Sequence, residues 1–333
     1  MLFVPLYNFI NILRGNDIRR VTGIRQNWRS PEKGFKEIPN GPDPTAKNLK
    51  NLKTAVSHLN HPSNLKVGLA NDGDADRFGV IDEKGNFIQP NDVIALVLYH
   101  LIKNKKREGV VVRSQATSHL LDEIAKRYCF PVKQTPVGYK YIAEVFKESD
   151  HTSQKVIIGG ESSGGLSIYG HIPEKDGIIA NLSILELMAY ENKPIGEILK
   201  SLRSNLAQKY LFTEMGIKTE KKDAIAEHFT TLFNKGGQFA GLEVDVQKSH
   251  AEAKNLKDKF HTQDGTKLYF KDGSWLLVRK SGTEPMARIY FEAIDSNQAA
   301  AEDKSKKLDA AVKQLLTEQF KVPAKQIETK ISL

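Results

Sequence analysis

The densest group of reactive side chains in this chain is a run of alternating aspartates, Asn71-Asp72-Gly73-Asp74-Ala75-Asp76-Arg77. Asp72, Asp74 and Asp76 follow a strand-like segment at every second position, and this alternation predicts that their carboxylates point the same way. Three converging carboxylates repel one another unless a cation lies between them, and Mg²⁺ prefers such hard oxygen ligands. We therefore expect a magnesium site here rather than a solvated acidic turn.

A calcium loop of the EF-hand type is a further alternative, because the aspartates occupy positions 1, 3 and 5 of such a loop and Glu83 occupies position 12. Arg77, however, stands where the sharp turn of that loop needs glycine. The flanking segments also have the pattern of strands, whereas an EF-hand needs helices. Both features favour magnesium.

A second motif, Arg279-Lys280-Ser281-Gly282-Thr283-Glu284-Pro285, lies between two predicted strands. Backbone amides around Gly282, the hydroxyls of Ser281 and Thr283 and the guanidinium of Arg279 would together form an anion site that fits a phosphate. Taken alone, the segment is equally compatible with an ordinary hairpin turn.

Weaker motifs follow two other segments of the chain. Glu161 and Ser163, in a glycine-rich run, offer an acceptor and a hydroxyl suited to neighbouring sugar hydroxyls, although the run also fits a flexible loop. The segment Gly138-Tyr139-Lys140 and the residue Lys175 are weak candidates as well, and Lys175 fits the solvated start of a helix.

The elements that would position these loops alternate between strands and helices. Apolar spacing predicts a helix over 45–59, with Asp43 and Thr45 as capping residues, and a second helix that begins at Asn91 as its cap. Further predicted segments are strands at 66–70, 78–82, 110–112 and 155–158, and helices at 118–128 and 176–190. This alternation predicts a mostly parallel sheet with helices on its faces.

Beyond residue 210 the chain becomes rich in lysine and in strand-like segments. Strands are predicted at 242–246, 267–270, 274–279 and 288–293, with a turn at Asp272-Gly273 and a closing helix over 298–320. These patterns predict three units, at 1–88, 89–208 and 209–333.

Composition narrows the class of protein without choosing one. The chain has 333 residues, 40% hydrophobic and 27% charged, and a formal net charge of +9, which suits a binder of nucleic acid, of a membrane surface or of phosphorylated metabolites. Aromatic residues do not alternate with the basic ones as base stacking would require, so we expect no nucleic-acid partner. No stretch reaches the roughly 18 apolar residues of a membrane span, and the apolar N-terminus has no basic lead-in, so we expect neither a membrane partner nor a signal peptide. The single Cys129 excludes an internal disulfide and points to a reducing, cytoplasmic location.

Four of these loops, in this order and spacing, resemble the α-D-phosphohexomutases, the family of phosphoglucomutase and phosphomannomutase. The aspartate loop resembles the family's metal loop, the Gly138 segment its third-domain loop, the Glu161 segment its sugar-specificity loop and the Arg279 segment its phosphate-binding loop. The run at 170–177 is most similar to the bacterial branch. The resemblance implies an α/β chain of consecutive mixed α/β domains of the phosphohexomutase type, followed by a smaller α+β C-terminal domain. It identifies residues 1–88 as the second domain with a shortened start, 89–208 as the third and 209–333 as the fourth.

The resemblance also implies an isomerase that interconverts hexose 1-phosphate and hexose 6-phosphate through a hexose 1,6-bisphosphate. Asp72, Asp74 and Asp76 would hold Mg²⁺, and Arg77 would lie near the transferred phosphoryl group. The other implied roles are proton transfer or charge stabilisation for Arg113 and Lys175, proximity to the sugar for Gly138, Tyr139 and Lys140, sugar binding for Glu161 and Ser163, and binding of the non-reacting phosphate for Arg279, Ser281, Gly282 and Thr283.

The chain departs from the family in one feature, since the serine loop of the first domain, Thr-Ala-Ser-His-Asn-Pro, does not occur in it. A similar string contains Ser57, but this serine falls on the helix predicted over 45–59 and is not expected to be the nucleophile. We therefore expect a chain that binds Mg²⁺ and hexose phosphates without completing the reaction alone. The alternatives are a non-catalytic sugar-phosphate-binding remnant, or one half of a split enzyme whose N-terminal domain is separately encoded. Nothing in the sequence decides between glucose and mannose.

Overall fold

The computed structural model describes residues 2–3, 25–26, 43–59, 65–262, 265–282 and 284–331. Two compact units divide the chain. The first comprises residues 1–133 and 138–205, and the second comprises residues 134–137 and 206–333. The predicted division of the first unit between residues 88 and 89 stays a prediction.

The first unit alternates short strands with helices, as the sequence pattern indicated. Its strands are β1 (Leu2–Phe3), β2 (Arg25–Gln26), β3 (Gly68–Asn71), β4 (Phe78–Ile81), β5 (Phe87–Ile88), β6 (Val110–Ser114), β8 (Val156–Glu161) and β9 (Gly165–Ile168), together with the first half of β7 (Val132–Thr135), whose last two residues are assigned to the second unit. Its helices are α1 (Lys50–His58), α2 (Pro90–Lys103), α3 (Leu120–Arg127), α4 (Tyr139–Ser149), α5 (Gly177–Glu191) and α6 (Ile195–Ser204).

These strands form two sheets of different character. The first has the order β2-β1-β3-β4-β5, and all of its pairings are antiparallel. The second has the order β7-β6-β8-β9, in which β6 pairs with β8 in parallel and β8 pairs with β9 antiparallel. The predicted strands 110–112 and 155–158 are confirmed as a parallel pair, β6 and β8. The first sheet and the β8–β9 pair are instead antiparallel, because β3 with β4 and β8 with β9 are joined by short loops that reverse the chain directly.

Helix α2 forms the centre of this unit. It packs against α3, α5 and β8, so apolar residues are buried around nearly its whole circumference. Its cap differs from the prediction, because Gln89 is the N-cap and Asn91 lies inside the first turn, where its side chain accepts a hydrogen bond from the Ser118 amide at 3.2 Å. Helix α1 likewise begins later than predicted, at Lys50, and neither Asp43 nor Thr45 caps it with a side chain.

The second unit is built on one antiparallel sheet with the order β13-β14-β15-β10-β16. Its strands are β10 (Lys209–Lys218), β11 (Gln238–Phe239), β12 (Leu242–Glu243), β13 (Thr266–Tyr269), β14 (Trp275–Lys280), β15 (Met286–Asp295) and β16 (Ile327–Ile331). Its helices are α7 (Lys222–Lys235), α8 (Val246–Phe260) and α9 (Gln298–Gln314), and α9 continues into a π-helical turn at Leu315–Gln319. The turn at Asp272-Gly273 and the closing helix agree with the prediction.

One predicted strand of this unit, 242–246, is mostly wrong. Only Leu242 and Glu243 are extended in β12, and Val246 begins α8, capped by Asp245. The sequence pattern missed this helix because only Ser249 and Leu256 of it are buried, which is too few for an apolar stripe. Helix α7, also missed, carries such a stripe in Ile225, Phe229 and Phe233, all of which enter the core of this unit.

Among the described residues, no helix is both long enough and apolar enough to cross a membrane.

Candidate functional site

The aspartate loop connects β3 to β4, the antiparallel pair in the first sheet. One carboxylate oxygen from each of Asp72, Asp74 and Asp76 lies within 4.8 Å of the others. The predicted convergence is thus present, but alternation along a strand is not its cause. The backbone turns, with the amide of Ala75 donating to the carbonyl of Asp72 at 3.2 Å and Ala75 in the left-handed region at φ 60°.

Cationic side chains hold two of the three carboxylates. Arg77 donates to Asp72 through its backbone amide at 3.0 Å and through Nε at 2.7 Å, and the Asp72 side chain is only 3% exposed. Lys175, 99 positions further along the chain, pairs through Nζ with Oδ2 of Asp76. Arg77 also reaches Asp43 at 3.3 Å, which brings a fourth carboxylate to the edge of the loop.

The donor set fits a divalent cation. Oδ1 of Asp76 is buried without a hydrogen-bond partner, and its nearest cationic atom among the ion pairs is Nε of Arg77 at 3.6 Å. A buried carboxylate oxygen without a donor is costly unless a cation satisfies it. The described residues contain no other comparable cluster of carboxylate, imidazole or thiol ligands.

The EF-hand alternative is wrong for this loop. Strands flank it on both sides, where an EF-hand has helices. Glu83, which would be the last calcium ligand, instead accepts a hydrogen bond from the amide of Gly196 at 3.0 Å at the start of α6.

Lys175 reaches the aspartate loop because the start of α5 docks onto that loop. Asp176 caps α5 by accepting from the amides of Ile178 and Ile179, and the amide of Gly177 donates to the carbonyl of Ala75 at 2.9 Å. His171 contacts Asp176 at 2.7 Å. Burial raises the pKa of Asp176, but the hydrogen bonds from Ile179 and His171 outweigh it and leave the pKa below its ordinary value.

The Glu161 loop joins the same region. Glu161 is buried at the end of β8, where Oε1 accepts a hydrogen bond from the amide of Gly138 at 2.7 Å. This bond brings two of the predicted loops together. The carbonyl of Gly164 accepts from the amide of Phe78 at 3.3 Å, and this bond connects the Glu161 loop to the end of the aspartate loop. Ser163, in the same Glu161 loop, is exposed.

Tyr139 and Lys140 begin α4, and they differ in exposure to solvent. Tyr139 is buried, and burial raises the pKa of its phenol well above the ordinary value. Lys140 is exposed and stands over the ring of Tyr141 at 4.8 Å. Gly138, the N-cap of α4, has φ 127°, a conformation that favours glycine.

Arg113 lies beside the Glu161 loop, since it is the register partner of Gly160 across β6 and β8. Arg113 is buried, with only 4% of its surface exposed. Its guanidinium donates to both carboxylate oxygens of Asp122, at 2.5 Å and 2.6 Å. This bidentate pair ties β6 to α3, a contact that the sequence pattern did not indicate.

The predicted phosphate loop belongs to the second unit and connects β14 to β15. Arg279 is partly buried at the end of β14, opposite Arg288. Ser281 accepts through Oγ from the amide of Glu284 at 3.1 Å, Gly282 has open space where a side chain would lie, and Thr283 is outside the described residues. Lys222, from the start of α7, donates to the carbonyls of Ser281 and Glu284 at 2.7 Å and 3.0 Å.

The surroundings of Arg279 are strongly charged. Like charges face each other at Arg279 and Arg288, and Arg288 donates to Glu214 at 3.0 Å. Burial, together with the charge of Glu214, raises the pKa of the neighbouring Tyr290 to about 12. An excess of positive charge at the loop is what an anion site needs.

Ser57 lies on α1, as the sequence pattern predicted. It is exposed, and its hydroxyl donates to the carbonyl of Thr54 at 2.9 Å within the helix.

Sequence reasoning missed Asp43, His171 and Lys222 as neighbours of these loops. Asp43 was read as a helix cap, and Lys222 is one of many lysines in its region. His171 could have been found, since it stands five residues before Asp176, an aspartate with the pattern of a helix N-cap.

Comparison with protein-family models matches three consecutive parts of this chain. Residues 19–85 match "Phosphoglucomutase/phosphomannomutase, alpha/beta/alpha domain II", residues 89–206 match the domain III model of the same name, and residues 241–306 match its C-terminal domain. Domain I is not among the matched models.

Individual relatives agree with these matches. The chain is 35% identical over 259 residues to a phosphoglucomutase/phosphomannomutase of Thermococcus kodakarensis, covering 78% of this chain and 49% of the relative. It is 28% identical to a phosphoglucosamine mutase of Methanocaldococcus jannaschii, covering 78% of this chain and 51% of the relative. The chain thus spans about half the length of these curated relatives. The open form of a Paramecium phosphoglucomutase, parafusin, shares the fold at a TM-score of 0.62 and 23% identity, covering 86% of this chain and 52% of that one.

Proposed function

We propose that this chain, which belongs to the phosphoglucomutase/phosphomannomutase family, supplies the metal-binding and sugar-recognising part of a mutase that interconverts hexose 1-phosphate and hexose 6-phosphate. The observation that carries the proposal is the convergence of three carboxylates on one point, with a buried oxygen of Asp76 that lacks a donor. We propose Mg²⁺ as the cation because all three ligands are hard carboxylate oxygens.

In this proposal the residues of the first unit divide the work between metal and sugar. Asp72, Asp74 and Asp76 hold Mg²⁺, which when bound would neutralise charge on a phosphoryl group in transfer. Arg77 keeps Asp72 oriented and adds positive charge beside the reacting group. Lys175 is the proposed residue for proton transfer or charge stabilisation.

Sugar recognition falls to the loops that meet at Glu161. Glu161 and Ser163 would bind neighbouring hydroxyls of the sugar, while Gly138, Tyr139 and Lys140 would lie near it. Arg113 remains a proposed charge-stabilising residue, and its pairing with Asp122 argues that it acts from a fixed position.

The loop of the second unit is proposed to hold the phosphate that does not react. Arg279, Ser281, Gly282 and Thr283 supply the guanidinium, hydroxyls and amides of such a site. We also propose the domain limits 1–88, 89–208 and 209–333, which are supported by the ranges of the matched family models.

We further propose that the chain alone does not complete the reaction, since domain I is the part in which the resemblance places the phosphoserine. The cycle would then need a phosphoserine-bearing domain as a partner and a hexose 1,6-bisphosphate as intermediate. The alternative is a non-catalytic protein that retains hexose-phosphate binding. The relatives include phosphoglucosamine mutases, so amino sugars belong among the substrates to be tested.

The test is an assay of the pure chain with the 1-phosphates of glucose, mannose and glucosamine, each with Mg²⁺ and the matching bisphosphate. We expect no turnover until a domain I polypeptide from a relative is added. Turnover by the chain alone at ordinary rates, roughly 1–1000 per second, would overturn the proposed division of labour.

Calorimetric titration with glucose 1-phosphate measures whether the proposed phosphate site around Arg279 still binds its ligand. Arg279→Ala should weaken binding at least about tenfold, since a charge-assisted hydrogen-bonded pair is lost. Lys271→Ala is the matched control, because Lys271 is exposed in the same unit, carries the same charge and pairs with Glu243. Equal weakening in both variants would show that only the net charge matters.

A further inference from the structure

Lys175 pairs with a carboxylate for which a bound cation would compete. Its Nζ pairs with Oδ2 of Asp76, one of the three converging carboxylates, although the two residues are 99 positions apart in the chain. Both side chains are partly buried, with 30% and 20% of their surface exposed. The ammonium therefore lies within the ligand cluster itself.

We propose that Lys175 is a tethered counter-ion of the aspartate loop that Mg²⁺ displaces, so that metal binding frees the ammonium for a phosphorylated ligand. The proposal rests on the metal site of the proposed function. It goes further by assigning Lys175 a metal-free state, paired with Asp76, and a metal-bound state, released from it.

The charges around Asp76 explain why both cations are not held at once. Arg77 already neutralises Asp72 and stands 3.6 Å from Oδ1 of Asp76, and Lys175 contacts Oδ2. With both cations in place, a divalent ion at the same carboxylates would meet two positive charges at short range in a partly desolvated loop. Arg77 is fixed by its backbone and Nε bonds to Asp72, so Lys175 is the side chain that can leave.

The fold leaves room for the stem of Lys175. A Cβ at Gly165 would lie 3.0 Å from Cδ and 3.2 Å from Cβ of Lys175, tighter than ordinary contacts. The loop that carries Lys175 is anchored after this residue by the amide of Asp176 to the carbonyl of Leu166 at 2.9 Å and by the amide of Gly177 to the carbonyl of Ala75. Before Lys175, the hydroxyl of Ser167 donates to the carbonyl of Ile172 at 2.6 Å. The backbone is thus held, while the side chain of Lys175 stays 30% exposed.

Other charged groups near Lys175 do not replace Asp76. Glu174 accepts from the backbone amide of Lys175 at 2.9 Å, but it is exposed. Asp176 is engaged by His171 and by the first turn of α5. Asp43 is paired with Arg77 at the far edge of the loop. After displacement the ammonium therefore faces solvent and any bound anion.

The experiment is a titration of the full chain with Mn²⁺, followed by electron paramagnetic resonance of the free ion, with Mg²⁺ competition. Lys175→Met keeps the apolar stem and removes the charge, and we expect it to bind Mn²⁺ roughly fivefold to twentyfold more tightly than the parent chain. Lys175→Arg, which keeps the charge, should stay within about twofold of the parent. The gain in Lys175→Met should shrink at high salt, because part of the repulsion is screened.

Two further variants separate charge effects from site effects. Lys147→Met removes an equal charge from an exposed position in the same unit and should leave Mn²⁺ affinity unchanged. Gly165→Ala should crowd the stem of Lys175 and tighten Mn²⁺ binding by less than Lys175→Met does. Circular dichroism of each variant verifies that the fold is retained.

The outcomes distinguish this inference from the proposed function. If the parent binds one Mn²⁺ that is lost in Asp76→Asn, while Lys175→Met binds no more tightly than the parent, the exchange is wrong and the metal site stands. If no variant binds Mn²⁺ at the aspartate loop, both proposals fail. Tighter binding by Lys175→Met, with Lys147→Met unchanged, supports the exchange.

Discussion

Replacing Gly177 by alanine should separate α5 from the aspartate loop. A Cβ at this position would lie 2.3 Å from the carbonyl oxygen of Arg77, 2.4 Å from Nδ2 of Asn71 and 2.6 Å from the carbonyl carbon of Arg77. Two of these atoms are backbone atoms of Arg77, which directly precedes β4 and whose carbonyl accepts a hydrogen bond from Nδ2 of Asn71 at 2.9 Å. The added methyl group cannot be accommodated by rotation of a side chain, so the start of α5 must move.

The expected cost follows from two effects and one compensation. Overpacking against fixed atoms costs about 1–3 kcal/mol, and loss of the hydrogen bond from Gly177 to Ala75 costs about 0.5–1.5 kcal/mol. Alanine is favoured over glycine in a helix by up to about 1 kcal/mol, less in the first turn. We therefore expect a net loss of about 1–4 kcal/mol in the free energy of unfolding.

Gly196→Ala is the matched control, because Gly196 also lies in the first turn of a helix and donates its amide to a neighbouring loop. The atoms that its Cβ would meet are the carboxylate ends of the Glu83 and Asp82 side chains, at 2.8 Å and 3.2 Å, and not backbone. Urea unfolding followed by circular dichroism gives the free energies, and hydrogen exchange of the first turn of α5 reports local opening. If Gly177→Ala is no less stable than Gly196→Ala, the docking argument is refuted.

Two further predictions concern buried charged and titratable groups. Asp122→Ala should cost about 2–4 kcal/mol, because it removes the carboxylate that neutralises the buried Arg113 guanidinium, while Arg113→Met should cost less, since Asp122 is one-third exposed and can be hydrated. Equal costs in urea unfolding would contradict this asymmetry. His100 is 0% exposed, and burial lowers its pKa despite the hydrogen bond to Glu186. The unfolded state therefore binds more protons below the ordinary histidine pKa of about 6.5, so stability should fall as pH drops through that value, by at most about 1.4 kcal/mol down to pH 5.5 from this residue. His100→Gln should remove that part of the loss, measured as the difference between unfolding free energies at pH 7.5 and 5.5; an unchanged difference would show that His100 is not the cause.

Local patterns predicted most of the elements that carry the loops. The helices α2, α3 and α5 and the strands β4, β6, β8 and β14 lie close to their predicted positions, because apolar periodicity depends on residues near in sequence. Apolar periodicity did not indicate helix α8, because only two of its residues are buried and they form no apolar stripe.

The sequence pattern predicted the pairing between elements less well than the elements themselves. The direction of β9 against β8 depends on the tight turn at Gly164, where φ is 95°, and not on periodicity. The cap of α2 was assigned to Asn91 by residue type, but the Ser118 amide, 27 positions away, takes its side chain. Whether a side chain caps a helix therefore depends on which hydrogen-bond partners the tertiary fold brings near it.

The candidate site shows the same division. Residue types and spacing by themselves determined which loops are the candidates for the chemistry, since Asp72, Asp74 and Asp76 are hard ligands whatever surrounds them, and the loop motifs identify the family. Only the tertiary structure decided that Lys175 pairs with Asp76, that Glu161 meets Gly138 and that Asp122 holds Arg113. The physical reason is that ligand chemistry belongs to each side chain, whereas charge pairing and burial depend on distances between residues far apart in the chain.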